Sequence, residues 1–137
     1  MHGPSACLGV HPFNLGTREY RLVDLPGLPA LRPDWARYVH VADFIVFVVD
    51  ATEADTWALA HRELTVLLRL VRQCSSSVPV LVACNKHDVS HDMPVDVMAS
   101  AMRLHRVQDE PFSVQPTSVM HCGAWRHTLV AFLGDQT

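Results

Sequence analysis

Lysine is nearly missing from this chain. Lys86 is the only one in 137 residues, and Lys plus Arg total 11 against 14 Asp plus Glu, for a formal charge of −3. No basic run occurs, which argues against nucleic acid as a partner and removes the polybasic patch that would hold an anionic membrane. Long apolar runs are missing too: Asp43 and Asp50 interrupt the strand-like ones, well short of the about 20 residues a membrane span needs. Met1-His2-Gly3-Pro4 offers neither the basic start nor the apolar core of a secretory signal, and Gly3 is not at the position of a myristoyl acceptor. The four cysteines, Cys7, Cys74, Cys84 and Cys122, show no Cys-x-x-Cys spacing, which suits a reducing compartment. Histidine is plentiful, and His87 with His91 has the i, i+4 spacing of a helical metal site. Here, however, the pair follows a polar loop with Pro94 close behind and no Cys or Glu to complete a ligand set, so solvent-exposed histidines are expected.

What is present is an apolar chain, 49% hydrophobic, long enough for one domain over residues 1–137 with a real core. Phe13-Asn14-Leu15, Gly16-Thr17 and a strand over 19–23 predict a hairpin, with glycine supplying the turn. Residues 29–41 read as a segment ending in a short helix, in which Leu31, Trp35, Tyr38 and Val39 fall at helical spacing. Trp35 and Tyr38 then either anchor a partner or pack the helix on a sheet. A strand over 43–50 leads to the clearest helix, 56–73. Its apolar face carries Leu59, Ala60, Leu64, Leu67, Leu68 and Val71, with Asp55 or Thr52 available as N-cap. A strand over 78–84, a helix over 95–104 opened by Pro94, a strand over 112–116 and a last helix over 124–133 follow.

The chemistry gathers where these strands end. Asn85-Lys86-His87-Asp88 comes directly after the run from Val78 to Cys84. An Asp at the fourth position can accept from both the ring N1–H and the exocyclic amine of guanine, a donor pair adenine lacks on that edge. The Asn amide can serve N7, and the Lys stem can lie along the base while its ammonium stays wet. Taken alone, the four residues also read as a polar turn. Upstream, Asp24-Leu25-Pro26-Gly27 closes the run Tyr20-Arg21-Leu22-Val23. There the Asp can reach Mg²⁺ through a water, and the Gly can bring its N–H to a γ-phosphate, although Pro-Gly by itself explains a plain turn. A third piece is Thr117-Ser118-Val119, whose backbone N–H groups can meet the guanine O6. Three short motifs in this order, each at a strand's C-terminal end, fit the ligand edge of an open α/β sheet.

With these residues in view the chain resembles the Arf-like branch of the small GTPases over roughly residues 13–134. Leu22-Val23-Asp24-Leu25-Pro26-Gly27, Leu31-Arg32, Ile45-Val46-Phe47-Val48-Val49-Asp50-Ala51-Thr52 and Ala83-Cys84-Asn85-Lys86-His87-Asp88 look more like the β subunit of the signal recognition particle receptor than like Arf proteins, which favour Trp-Asp-x-Gly-Gly-Gln. The short segment from Asp88 to Thr117 is instead Arf-like. The resemblance implies a P-loop GTPase-like α/β fold, an open sheet with flanking helices. It implies GTP or GDP with Mg²⁺ as cofactors, and a guanine site of Asn85, Lys86, Asp88, Ser118 and Val119. Asp24 and Gly27 would then report the γ-phosphate, Asp24 would hold Mg²⁺ through water, and Ser5 would stand near the Mg²⁺-binding threonine of the first switch. As a lone serine beside Pro4, Ser5 otherwise reads as terminal coil. The job implied is a nucleotide-controlled docking surface. It would hold the receptor's α subunit at the cytosolic face of the endoplasmic reticulum, or an effector in vesicle trafficking if the chain is Arf-like.

The departures matter as much. No Gly-x-x-x-x-Gly-Lys-Ser/Thr loop precedes Asp24, and no lysine other than Lys86 can stand in for the one such a loop supplies. In the family the strand before that loop lies between the strands ending at Asp24 and Asp50. The expected fold therefore lacks the first strand, the phosphate loop and the first helix, and the membrane-anchoring N-terminal helix with them. The simplest account is that these residues are the C-terminal portion of a longer protein. Leu28 stands where Arf proteins have the glutamine that orients the attacking water, so no catalytic residue is assigned and little hydrolysis is expected. A pseudo-GTPase interaction module that binds no nucleotide is the competing reading.

Overall fold

The computed structural model describes residues 8–74, 78–86, 94–104, 112–118 and 122–134. Among these described residues five strands and four α-helices follow one another, and the chain divides into two compact units, residues 1–41 and 42–137.

In the first unit, β1 (Gly9–Leu15) and β2 (Arg18–Asp24) form the expected hairpin. They pair antiparallel with Leu15 opposite Arg18 and Gly9 opposite Asp24. The two-residue connection needs a left-handed residue to match the strand twist, and Gly16 supplies it at φ +61°. Next to the turn, Phe13 and Tyr20 face each other across the ladder and stack with centroids 5.2 Å apart. After the Asp24-to-Gly27 segment, a 3-10 turn (Pro29–Asp34) runs into the short helix α1 (Trp35–Val39). Leu31 thus sits in the 3-10 turn rather than on a continuous helix with Trp35 and Tyr38.

The second unit is a parallel sheet in the order β3 (Ile45–Asp50), β4 (Val80–Asn85), β5 (Phe112–Pro116). The register sets Asp50 beside Asn85 and Cys84 beside Pro116. β4 is central, and its first five residues are all buried. A strand buried on both faces cannot alternate apolar with polar, which is why Val80 to Cys84 reads as an unbroken apolar run. The strand begins at Val80 rather than Val78 because Pro79 has no N–H to donate; its carbonyl still accepts from the Ile45 N–H at 2.9 Å.

The connection from β3 to β4 carries α2 (Trp57–Arg72), whose buried stripe is Trp57, Leu64, Leu67, Leu68 and Val71. Leu59, expected on that stripe, is exposed, and Trp57 takes the place at the helix start. Neither Asp55 nor Thr52 caps this helix. A 3-10 turn (Ala54–Thr56) precedes it, so Thr56 occupies the N-cap with its hydroxyl donating to the Glu53 carbonyl, while Thr52 turns to Asp50. The connection from β4 to β5 carries α3 (Val95–Ala101), which seals Met98 and Met102 and ends where Arg103 turns left-handed at φ 55°. In the last helix, α4 (Cys122–Gly134), Phe132 meets Phe44 edge to face at 6.4 Å. Among the described residues no helix is long and apolar enough to cross a membrane.

Candidate functional site

The C-terminal edge of the three-stranded sheet is built by backbone bonds that continue past the strands. Ala51 N–H donates to the Asn85 carbonyl and Thr117 N–H to the Cys84 carbonyl, each at 2.9 Å. Three strand ends are thereby fixed side by side, bringing Asn85, Lys86, Thr117 and Ser118 to one edge. The Thr117 hydroxyl lies 3.5 Å from the Asn85 side-chain oxygen, long for a strong hydrogen bond, so it orients the carboxamide while engaging it weakly. Thr117 and Ser118 are buried polar residues. Of the five residues predicted to read guanine, the structure thus gathers Asn85, Lys86 and Ser118; Asp88 and Val119 lie outside the described residues.

Lys86 has φ 61°, a left-handed conformation rare for a residue with a Cβ and costing of order 1 kcal/mol or more. It turns the chain sharply at the end of β4. Its ammonium forms a 2.6 Å ion pair with the Asp50 carboxylate at the end of β3. Asp50 is the residue the sequence reading missed. One carboxylate oxygen accepts from Lys86, and the other accepts from the Thr52 N–H at 2.9 Å and the Thr52 hydroxyl at 2.6 Å. Its backbone carbonyl accepts from the Trp57 indole N–H at 2.9 Å. Burial is the largest single influence on this carboxyl and pushes its pKa up, but the Lys86 and Thr52 hydrogen bonds and the nearby positive charge together hold it below 3.8. The hydrogen bond to Asp50 raises the Lys86 pKa above its ordinary value, against a smaller effect of burial, with help from the charges of Asp50 and Glu53. The signal that could have found Asp50 is register: it ends β3 at the level of Asn85.

In the first unit, Asp24 ends β2 and is exposed. The segment after it is held by its own neighbours: Arg32 Nε donates to the Gly27 carbonyl at 3.0 Å and Trp35 Nε1 to the Pro26 carbonyl at 2.9 Å. The Arg32 guanidinium also stands 6.0 Å from the Trp35 ring centroid. Trp35 is therefore tied to the loop it follows, a use of the ring that its helical spacing did not announce. Leu28 is extended and places no polar side chain here. Ser5, His87 and His91 lie outside the described residues, and among those described no group of three or more His, Cys, Asp or Glu could hold a metal.

The matching family model is that of the ADP-ribosylation factors, covering residues 2–132. The chain belongs to this family. ADP-ribosylation factor-like protein 3 of Chlamydomonas reinhardtii is 30% identical over 106 residues, which is 77% of this chain and 56% of that protein. ADP-ribosylation factor J of Dictyostelium discoideum is 28% identical over 113 residues, 79% of this chain and 59% of the relative. The chain thus spans between half and two thirds of the length of these curated relatives. Among solved structures, the Arl6 BBS3 small GTPase from Trypanosoma brucei with bound nucleotide analogue GppNp superposes with a TM-score of 0.75 at 20% identity, over 96% of this chain and 83% of that one. The mammalian signal recognition particle receptor does so with 0.79 at 17% identity, over 96% and 86%. At such identities the likeness establishes the small-GTPase fold.

At the sheet edge, then, a carboxamide, a cation on a left-handed backbone and buried hydroxyls stand at adjacent strand ends. The Lys86 ammonium is held at Asp50.

Proposed function

We propose that this Arf-family chain reads guanine nucleotides with Asn85, Lys86, Asp88, Ser118 and Val119 in a single GTPase-like domain, and serves as a nucleotide-controlled docking subunit. The observation that supports this is the bonding of Thr117 to the Cys84 carbonyl and, weakly, to the Asn85 side chain, which sets Asn85 and Lys86 beside Thr117 and Ser118 at the C-terminal edge of a parallel sheet, where open α/β sheets take their ligands. Asp24 and Gly27 take the γ-phosphate and, through water, Mg²⁺; Ser5 is the further candidate for the metal. Leu28 cannot orient a water, so binding rather than turnover is the output.

The fit to the receptor structure and the Asp-Leu-Pro-Gly wording support a role like that of the receptor's β subunit, holding an α-type partner on the switch surface at the cytosolic face of the endoplasmic reticulum. The identity to Arf-like relatives supports a second reading, a trafficking GTPase engaging an Arf-type effector through the same surface.

Calorimetry of the 137-residue chain with GTP and Mg²⁺, repeated for Asp88→Asn with xanthosine triphosphate, tests the common part. Preference moving from the guanine to the xanthine nucleotide is the expected result. A folded, monodisperse chain that binds neither would make it a pseudo-GTPase interaction module.

A further inference from the structure

Asp50 has no part in the guanine reading above, yet it is where the chain's only lysine ends. Its two carboxylate oxygens do different work. One is saturated by the Thr52 N–H and hydroxyl, which fix the turn leaving β3. The other is left to Lys86 at 2.6 Å. The carboxylate cannot drift, because its own strand is bonded to β4 at this level through Ala51 and Asn85, and the Trp57 indole holds its carbonyl. Lys86, in turn, leaves β4 in a left-handed conformation, which fixes where its stem starts. With both ends fixed, a side chain that would otherwise sample many rotamers is held between the end of β4 and the end of β3. A lysine on a free stem would lose much of that freedom when a base docked against it; one already held loses less.

We propose that Asp50 is a positioning residue for nucleotide binding: it holds the Lys86 ammonium so that the methylene stem forms a preset rail beside the purine. This rests on the guanine reading of Asn85, Lys86 and Asp88. Asp50 does not touch the base. It contributes affinity by ordering Lys86 beforehand and has no part in choosing guanine over xanthine, which belongs to Asp88.

Asp50→Asn isolates the contact, because an amide oxygen can still accept both Thr52 bonds while the amide nitrogen offers Lys86 only a donor. Two measurements are made on the wild type, Asp50→Asn and Asp50→Glu, each first shown to be folded by circular dichroism. Chains carrying ¹³C-methyl groups on their amines give the titration of Lys86 by NMR, its signal being the only one besides the terminal amine. Calorimetry on unmodified chains gives the affinities for GDP and GTP. The expected result is a lower Lys86 pKa in Asp50→Asn and a roughly threefold to fivefold weaker affinity, as suits a part-exposed pair. Asp50→Glu should recover most of both, and the guanine-to-xanthine ratio should stay unchanged throughout. A simple loss of folding support would not move the lysine titration in a folded variant. An identical lysine titration in wild type and Asp50→Asn would overturn the pairing, and a shifted titration with unchanged affinity would overturn the positioning role. A wild type that binds no guanine nucleotide would overturn the guanine reading itself, a failure the wild-type calorimetry tells apart from the other two.

Discussion

Leu22-Val23 in β2 and Leu81-Val82 in β4 are the same pair of residues, yet they live in different solvents. β4 buries Val80 through Cys84, with Leu81, Val82 and Cys84 wholly sealed, whereas every residue of β2 keeps some exposure and Leu22 and Val23 are each 38% exposed. The identity of a Leu-Val pair therefore did not decide its burial; its neighbours did. Among the described residues β4 has a strand on each side, whereas β2 pairs with β1 alone. The hairpin is held by local means: its ladder, the Gly16 turn and the Phe13–Tyr20 stack. A two-stranded hairpin with so little buried surface is marginal by itself, so the two regions should respond very differently to similar chemical insults.

The sharpest way to break the comparison is Leu81→Ala. Leu81 is fully buried in the central strand, so truncation removes its transfer free energy and leaves a cavity that paired neighbours on both sides cannot easily fill. A loss of about 2 to 5 kcal/mol in urea-induced unfolding is expected. Valine at exposed Val23 replaced by alanine is the matched control and should cost well under half as much. Equal losses at the two sites would mean that the hairpin shares the core's burial in solution.

A second difference is electrostatic. Burial pushes the Cys84 thiol from 9.0 up to about 11, because a thiolate in the sealed middle of the sheet would lose its hydration. The folded state therefore holds this proton more tightly than the unfolded one. That stability is complete below the unfolded pKa and is lost as pH rises through the folded one. Between about pH 9 and about pH 11 the chain should lose on the order of 2 to 3 kcal/mol through this group. Unfolding free energies across that window, with Cys84→Ala subtracted, check it. A slope unchanged by Cys84→Ala would show that other groups set the alkaline behaviour.

Much of this was legible beforehand, for a physical reason. Periodicity and runs report burial by near neighbours, so the hairpin, the three parallel strands and the long helix could be read from Gly16-Thr17, from Val80 to Cys84 and from the spacing of Leu64, Leu67, Leu68 and Val71. The strand-end motifs were legible because Asn85 ends an apolar run and Thr117 follows the alternating Phe112, Val114 and Pro116 of a short strand. The Asp50–Lys86 pair was not, because it spans 36 positions and depends on the register of β3 against β4, which no local pattern encodes. The same holds for the N-cap of α2. Asp55 and Thr52 were plausible caps by residue type, but an extra 3-10 turn moved the N-cap to Thr56, and Thr52 donates instead to Asp50. Leu59 was misplaced because the wide apolar stripe of a helix start does not reveal which of two neighbouring residues faces the sheet; Trp57, tied by its indole to Asp50, does.

The smallest expected effect sharpens the hairpin's side of the comparison. Gly16 stands at φ +61° with nothing within 4 Å of where a Cβ would be, so a Cβ there meets open space and the backbone conformation is the main penalty. Gly16→Val should therefore cost about 1 to 2 kcal/mol, drawn mainly from the left-handed strain. Because the strain is local, the loss should be visible first as faster hydrogen exchange of the amides in β1 and β2, with those of β4 unchanged. Gly16→Asn, which tolerates that region better, should recover most of it. If Gly16→Val instead accelerates exchange in β4 to the same degree, the two units open together, and the contrast between a locally held hairpin and a centrally buried sheet would describe the folded state without describing how it comes apart.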